Sequence, residues 1–325
     1  MTNFRFGVLE FGYRRNDRSS LHALMDVMAQ ARLADQLGFQ QFWLTEHHVH
    51  NVLTPWASPR VLLPLLLHET ERIRVGMAGV LANFHSPYDI ALDFKLLANL
   101  FHNRVDLGFA NGRPALRIAR QMRCEEFPDY PDDFDQRVAR TVRLLNEEQT
   151  VLERERIVVP PAFGALPDLY QLGSSFRHWR TAVDRRMHMV KSTFHTMNAL
   201  EHPEADEVAR YRDAFAARHG YQPKVIMALA ASCVPDEATR REVIKSMRQL
   251  HKGSRIVNAI IATPDELAER LEVIGRQFGV TDFVIREVGG DSAQQQNSLR
   301  LIASSELMAP SVSPVFHNQS TLSNA

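Results

Sequence analysis

The sequence predicts an α/β fold, a (β/α)₈ TIM barrel with insertions. Short apolar runs rich in β-branched and aromatic residues alternate with amphipathic stretches, which is typical of βαβ units and a parallel sheet. About eight such units follow one another, the number that a closed barrel needs. Most of the apolar runs are continuous, which indicates strands buried on both faces, as in a barrel wall covered by helices.

Each unit is expected to begin with one strand. The apolar runs are bounded by glycine, proline or polar residues, which end strands and begin turns. The predicted strands are residues 4–11, 39–45, 73–81, 104–109, 168–172, 188–193, 224–234 and 282–288.

Amphipathic helices are expected between the strands. In residues 20–37 apolar side chains recur every three or four positions, and Gly38 follows as a C-terminal cap. Residues 263–266, Thr-Pro-Asp-Glu, supply a capping residue, a first-turn proline and two acids at the positive end of another helix, which continues to residue 278. Helices over 58–67 and 90–101 are unusually apolar.

One long insertion is expected between the fourth and fifth strands. Residues 125–133 are acidic and contain two prolines, a helix then runs to residue 146, and a proline-containing stretch leads to Pro167. Long loops on a barrel usually shape the substrate mouth. Residues 1–309 are predicted to form a single domain, and residues 310–325, rich in Ser, Asn and Thr, a disordered tail.

The composition excludes several classes of partner. Lysine plus arginine equals aspartate plus glutamate at 38 each, so no overall charge attracts nucleic acid or an anionic membrane. The two cysteines, Cys124 and Cys233, are too few for a disulfide framework and have no metal-ligand spacing, which favours a reducing cytoplasm. No signal-peptide layout is evident, and no apolar run reaches the roughly 20 residues of a membrane span.

The most informative motif is FWLTEHHVH, residues 42–50, in which a predicted buried strand ends in an acid and three histidines. In a barrel, polar residues at the carboxyl ends of strands face the active site. Zinc binding by His47, His48 and His50 with Glu46 is one interpretation, although adjacent histidines on an extended chain point to opposite sides. Simple pairing of the histidines with backbone groups is another, and catalysis is the third.

Other motifs follow in order along the chain, and together with residues 42–50 they resemble the luciferase-like flavin monooxygenase family. The resemblance runs from about residue 4 to residue 290. The matching segments are residues 34–39 (ADQLGF), 74–81 (RVGMAGVL), 86–88 (SPY), 104–109 (RVDLGF), 172–175 (LGSS) and 262–266 (ATPDE).

The resemblance implies roles for the residues of this motif. His47 matches the histidine that supports formation and use of a flavin C4a-hydroperoxide, by proton transfer and hydrogen bonding. An imidazole suits that role because it exchanges protons near neutral pH. Glu46 matches an acid beneath the flavin ring, and the alternative is that Glu46 fixes the tautomer of His47. Ala78 and Gly79 match a small-residue pair that carries a non-proline cis peptide against the flavin ring.

The phosphate site departs from the family pattern. The family has arginine where this chain has Asn111, which is followed by Gly112 and Arg113, so Arg113 is a candidate to supply the missing charge. The second candidate is the loop after the fifth strand, in which hydroxyl groups and the N–H groups of a starting helix would bind an anion and Arg177 would neutralise it. This loop contains Gly173, Ser174 and Ser175. Arg137 is a third possibility.

By resemblance, the protein is expected to be a two-component monooxygenase. A separate flavin reductase would deliver reduced FMN, O₂ would react with it, and a small organic substrate would be oxidised, with a role in secondary metabolism. No metal is expected, and the apolar helices over 58–67 and 90–101 would form a homodimer interface. The alternatives are an F420-dependent hydride-transfer enzyme and a non-catalytic flavin-binding protein of the same fold.

Overall fold

The computed structural model describes residues 3–12, 14, 15, 17–48, 52–201, 204–250 and 257–308. His50 and the predicted tail over 310–325 lie outside the described residues. The assignment of residues 1–309 to one domain stays a prediction.

Parallel strands form a closed barrel, as predicted. Eight of them pair in a ring, and the ring closes through parallel pairing of the first strand with the last and of the last with the seventh. A short additional strand, which was not among the predicted strands, pairs with the carboxyl end of the seventh. The strands are β1 (Arg5–Glu10), β2 (Gln41–Leu44), β3 (Arg74–Leu81), β4 (Val105–Ala110), β5 (Asp168–Gly173), β6 (His188–Ser192), β7 (Val225–Cys233), β8 (Ile260–Ala262) and β9 (Asp282–Glu287).

Helices cover the outside of the barrel between the strands. The described α-helices are α1 (Ser20–Gln36), α2 (Leu63–Glu69), α3 (Pro87–Leu100), α4 (Leu116–Arg123), α5 (Phe134–Asn146), α6 (Glu148–Glu155), α7 (Trp179–Asp184), α8 (Ala205–His219), α9 (Glu237–Leu250), α10 (Pro264–Phe278) and α11 (Ser292–Ser304).

The helix-end signals in the sequence are confirmed for α10. Thr263 and Glu266 form a reciprocal capping box in front of Pro264, which satisfies N–H groups that the first turn leaves free. Two expected segments differ from the structure. The helix expected over 58–67 is broken into a 3₁₀ turn (Pro59–Val61) and α2, and the proline-containing stretch before Pro167 contains α6. None of the described helices is long and apolar enough to span a bilayer.

Two apolar clusters hold the barrel. The larger one packs strand residues such as Phe6, Val75 and Leu107 against helix residues such as Phe94 and Leu271. The smaller one lies inside the barrel and draws its members from β1, β2, β5, β6, β7, β9 and the residue that follows β9. It contains Leu9, Trp43, Tyr170, Val190, Phe194, Ile226, Ala228, Ala230, Val284 and Val288.

The amino end of the barrel is filled by paired charges. Arg74 donates to Asp106 at 2.8 and 2.6 Å, and the other oxygen of Asp106 accepts from the indole N–H of Trp43 at 2.8 Å. Asp168 lies 3.0 Å from Arg74 and accepts from Lys224 at 2.8 Å. These groups close the amino end of the barrel, so a ligand has to enter from the carboxyl end.

Candidate active site

A cavity of about 460 Å³ opens at the carboxyl ends of the strands. This is the end at which barrel enzymes place their active sites, and the volume lies within the roughly 300–1,000 Å³ typical of ligand pockets. The cavity is lined by Leu9, Phe11, Trp43, Thr45, Glu46, His47, His48, Ala78, Gly79, Leu81, Ala110, Asn111, Gly112, Arg113, Pro114, Leu172, Gly173, Ser174, Val190, Ser192, Phe194, His195 and Ala228.

Nearly all of the predicted site residues line this cavity. The exceptions are Ser175 and Arg177, which line an adjacent hollow of about 170 Å³. Gly173 and Ser174 border both spaces, so the two are neighbours. The structure therefore brings together segments that lie after β2, within β3, after β4 and after β5.

Glu46 is the most heavily bonded side chain in the cavity. One carboxylate oxygen lies 2.8 Å from Nε2 of His48 and 2.5 Å from Nε2 of His85, and the other accepts from the backbone N–H of Leu81 at 2.9 Å. Burial raises the pKa of Glu46, but the hydrogen bonds from the two histidines outweigh it and lower that pKa to about 2. Glu46 does not bond to His47, so the idea that Glu46 fixes the His47 tautomer is wrong.

Within the described part of the chain, the closest group of three metal-ligating side chains is Glu46, His48 and His85. Arg60 lies 3.3 Å from Nδ1 of His85, and because a guanidinium only donates, that nitrogen is the acceptor. His85 then carries its proton on Nε2 and donates it to Glu46, which favours a hydrogen-bonded cluster over a metal centre. His47 lies outside this group, so the geometry does not support the zinc set that includes His47.

His47 lies apart from this cluster, against an aromatic wall. Its ring stacks on Phe11 with ring centres 5.0 Å apart and planes 20° apart, and it makes no hydrogen bond to a described residue. Burial lowers the pKa of His47 to about 4, and the positive charge of Arg286 adds to this. The imidazole is therefore neutral at neutral pH, which differs from the expectation of proton exchange near pH 7.

The peptide between Ala78 and Gly79 is cis, as predicted. The pairing of β3 with β4 shifts register between Met77 and Val80, so this peptide interrupts the regular strand at the cavity wall. Gly79 is also required by packing, because a Cβ there would lie 2.5 Å from the carbonyl oxygen of Gly108 in β4. A substitution of Gly79 would therefore disturb the barrel as well as the cavity.

The two candidate phosphate segments lie close to each other but differ in detail from expectation. Arg113 lies over the ring of Tyr130, 5.5 Å from its centre. The helix after Ser175 begins only at Trp179, and the backbone N–H of Phe176 donates to Glu204 at 2.7 Å. No helix begins directly after Ser175, so the expected anion site can use only the hydroxyl and N–H groups of the loop.

Arg137, the third candidate, is held elsewhere. Its guanidinium pairs with Asp133 at 2.9 Å and donates to the backbone oxygen of His85 at 2.9 Å. It does not line the cavity.

Three side chains at the site, His85, His195 and Arg286, were not predicted from the sequence. His85 lies two residues before Pro87, and its role depends on a contact with Glu46 that no spacing reveals. His195 follows β6 and lines the cavity, and Arg286 lies at the carboxyl end of β9. The rule that polar residues at strand ends face the active site would have identified both of these.

Comparison with known proteins identifies the family. A family model described as luciferase-like monooxygenase matches residues 4–282. The chain belongs to the luciferase-like monooxygenase family. The resemblance seen in the sequence motifs is thereby confirmed.

Two curated relatives illustrate the range of similarity. This family member is 24% identical to the N-acetyl-S-alkylcysteine monooxygenase of Bacillus subtilis strain 168, over 94% of this chain and 99% of the relative. It is 31% identical to the uncharacterized protein YwcH of the same organism over 47% of this chain, and that match covers 46% of the relative, less than half its length.

Solved structures share the fold. Apo-MsnO8 superposes with a TM-score of 0.79 at 23% identity, covering 93% of this chain and 98% of that one. The oxygenating constituent of 3,6-diketocamphane monooxygenase from Pseudomonas putida, solved with FMN, gives 0.70 at 16% identity, covering 95% and 98%. An F420-dependent secondary alcohol dehydrogenase with an F420-acetone adduct gives 0.64 at 12%, covering 92% and 98%. Structural relatives of this luciferase-like protein thus bind FMN or F420.

Proposed function

We propose that the protein is a flavin-dependent monooxygenase that uses reduced FMN and O₂ to oxidise a small organic substrate. The observation that carries this proposal is the position of His47 in an apolar cavity whose wall includes the small residues Ala78 and Gly79. A neutral histidine beside a small-residue wall suits a planar ring system with a hydrogen-bonding partner at its reactive edge.

The residues present fit such a cofactor. Ala78, Leu172 and Val190 supply apolar surface for a planar ring. Among the described residues that line the cavity and the adjacent hollow, two buried polar atoms have no hydrogen-bond partner, Oγ of Ser192 and Oε1 of Gln171, and a polar ligand would satisfy them. Ser174 and Ser175 would hold the phosphate through hydroxyl and N–H groups, with Arg113 or Arg177 supplying charge.

Reduced FMN, when bound, supplies the activation of O₂, and the protein supplies orientation and a dry space. His47, neutral because of burial, would donate or accept a hydrogen bond at the reacting edge. Because its pKa is lowered to about 2, Glu46 is ionised near neutral pH and does not deliver a proton there. Glu46 instead fixes His48 and His85 in the wall of the cavity.

The substrate class and the place in secondary metabolism remain part of the proposal. Two relatives support oxygenation of an organic molecule, since one acts on N-acetyl-S-alkylcysteine and the other is the oxygenating part of a Baeyer–Villiger monooxygenase. The second candidate function is F420-dependent hydride transfer, supported by the F420-dependent alcohol dehydrogenase of the same fold. Loss of catalysis with retained flavin binding is the third.

The proposal includes two partners. A separate flavin reductase would supply reduced FMN, and a second copy of the chain would complete a homodimer. Four exposed apolar side chains support the dimer, namely Val61, Leu65, Leu96 and Leu100. They lie on two neighbouring segments, and an ion pair between Arg60 and Asp93 connects these segments. Both cysteines are free, which supports the proposed reducing cytoplasm.

The decisive experiment compares reduced FMN with reduced F420. Binding of each is measured anaerobically, and O₂ is then added while absorbance is followed with and without protein. We expect tight binding of reduced FMN and a protein-dependent change in the course of its reoxidation. Binding of F420 with no effect on FMN reoxidation would favour hydride transfer instead.

A comparison of FMN with riboflavin tests the phosphate site. FMN should bind far more tightly, because riboflavin lacks the group that Ser174 and Ser175 would hold. Equal affinities would show that the segment after β5 binds no phosphate.

A further inference from the structure

Arg286 is a buried cation at the carboxyl end of β9 with no use in the chemistry described above. Its guanidinium carbon lies 3.8 Å from the ring centre of Phe11 and 5.3 Å from that of Phe194. A guanidinium stacked on an aromatic face keeps its N–H edge free for an anion.

No carboxylate in the described ranges pairs with Arg286. Among the described residues it has no ion pair within 4.0 Å and no hydrogen bond to a side chain or backbone oxygen. The residues outside the described ranges contain no aspartate or glutamate, so none of their side chains can supply the partner. Glu10 is the carboxyl group whose charge Arg286 feels, but Glu10 accepts from the backbone N–H of Gly12 instead.

Arg286 faces a second cavity of about 280 Å³, separate from the one that contains His47. Leu9 and Phe11 line both cavities, so they form the partition between them. Gln30 also lines the second cavity, is only 3% exposed, and its side-chain N–H₂ has no partner. The guanidinium of Arg286 and the amide of Gln30 therefore lack an acceptor, as does Nε of Arg14 in the same cavity.

Some of the other charges around this cavity are already paired. Arg15 pairs with Asp17 at 3.0 Å and lies 3.6 Å from Asp291. Burial raises the pKa of Glu10, and it raises the pKa of Glu287 to about 7, so burial disfavours the charged form of both carboxyl groups. Arg14, Arg18 and Asp26 also line the cavity, but Arg286 is distinguished from them by its contact with the rings of Phe11 and Phe194.

We propose that Arg286 is the substrate's anion receptor, and that the substrate of this enzyme carries a carboxylate that binds in the second cavity while its reacting group lies beside His47. The inference rests on the proposed function for the location of the reacting group. A buried guanidinium without a partner is unfavourable, and a planar carboxylate matches its two parallel N–H groups. Phosphate fits less well, because a dianion would leave one negative charge uncompensated.

The distances allow one small molecule to reach both places. Arg286 and His47 contact the same phenyl ring, at 3.8 and 5.0 Å from its centre. A short spacer that passes Phe11 therefore connects the carboxylate to the group that is oxidised.

The test measures ligand binding to the flavin-free protein, so that its outcome does not depend on flavin chemistry. Thermal unfolding is followed with butyrate, hexanoate and 3-phenylpropanoate, each paired with its neutral amide, and with inorganic phosphate. We expect the best carboxylate to raise the Tm by roughly 2 °C or more at saturation, with no rise from its amide or from phosphate. Calorimetric titration of that carboxylate gives its Kd.

Variants assign the effect to one side chain. Arg286→Gln should weaken carboxylate binding at least tenfold, whereas Arg286→Lys, which keeps the charge, should retain part of it. Arg15→Gln removes a paired arginine from the same cavity and should change nothing. FMN affinity should stay within twofold in all three variants.

Several results would overturn the proposal. They are a wild-type protein that responds equally to carboxylates and amides, a response to phosphate as large as that to carboxylates, and a carboxylate response that survives in Arg286→Gln. A protein that binds carboxylates through Arg286 but not FMN would leave the receptor assignment standing and would contradict the proposed function alone.

Discussion

At the amino end of the barrel, Arg74, Asp106, Asp168 and Lys224 pair with one another at 2.6 to 3.0 Å. At the carboxyl end, Arg286 has no ionic partner and His47 no hydrogen bond among the described residues, although both are largely buried. The charged groups at the amino ends of the strands are therefore paired, whereas Arg286 at the carboxyl end has no described ionic partner. The unsatisfied end is where a ligand gains free energy by binding, because the protein has left donors and a cation without partners.

The largest difference between the two ends should appear in turnover. His47→Ala should reduce the oxidation rate by roughly 10²–10⁴-fold, the usual contribution of a positioned hydrogen-bonding or acid–base group. The Tm and FMN affinity should hardly change, since His47 bonds to no other described residue. His102→Ala, at an exposed position away from the cavity, is the control. Normal turnover in His47→Ala would make His47 a structural residue.

A substitution at the amino end should lower the stability of the protein and leave its turnover unchanged. Asp106→Ala leaves Arg74 with one carboxylate fewer and the indole N–H of Trp43 without an acceptor. We expect a loss of about 3–5 kcal/mol in the free energy of unfolding, measured with urea, while the folded protein keeps its turnover number. Asp17→Ala, which removes an exposed ion pair, should leave the urea midpoint unchanged. A loss of turnover without a loss of stability in Asp106→Ala would contradict the division between the ends.

Glu46 is a fully bonded group at the carboxyl end and tests the contribution of its charge. Its pKa is about 2 in the folded protein, below the ordinary 4.5, so its charge stabilises the fold above pH 4.5 and that contribution is lost as the pH falls toward 2. Glu46→Gln should therefore lower the unfolding free energy by about 3 kcal/mol at pH 7. The difference between wild type and variant should narrow below pH 4.5. A difference that is constant from pH 7 to pH 3 would show that charge is not the cause.

The smallest expected effect concerns the charge of Arg286. The pKa of His47 is lowered to about 4 by burial and then by Arg286 and His195, while Glu46 opposes this. NMR titration of the His47 ring should give a midpoint near that value, and Arg286→Gln should move it upward toward 6.5. Since the folded pKa is depressed, protonation of His47 should destabilise the wild type as the pH falls from 6.5 to 4. An unchanged midpoint in the variant would place Arg286 too far away to act on His47.

Much of the fold could be predicted from the sequence. Continuous apolar runs marked all eight barrel strands, and residues 263–266 marked the start of α10, because burial and capping act on neighbouring residues. The division of the helix over 58–67 was not predicted. β8 was also missed, because its three residues form a strand only by pairing with the end of β7.

What the sequence determined by itself was the family, the barrel and the set of strand ends from which the cavity is built. The contacts among those ends were decided by the tertiary structure. Glu46 bonds to His48 and His85 rather than to His47, and the N–H of Phe176 is taken by Glu204. Arg286 meets Phe11 across a separation of 275 positions only because the barrel closes between β1 and β9. Periodicity and capping are local properties of the chain, whereas a charge is paired or left free according to which distant strand ends the closed ring brings together.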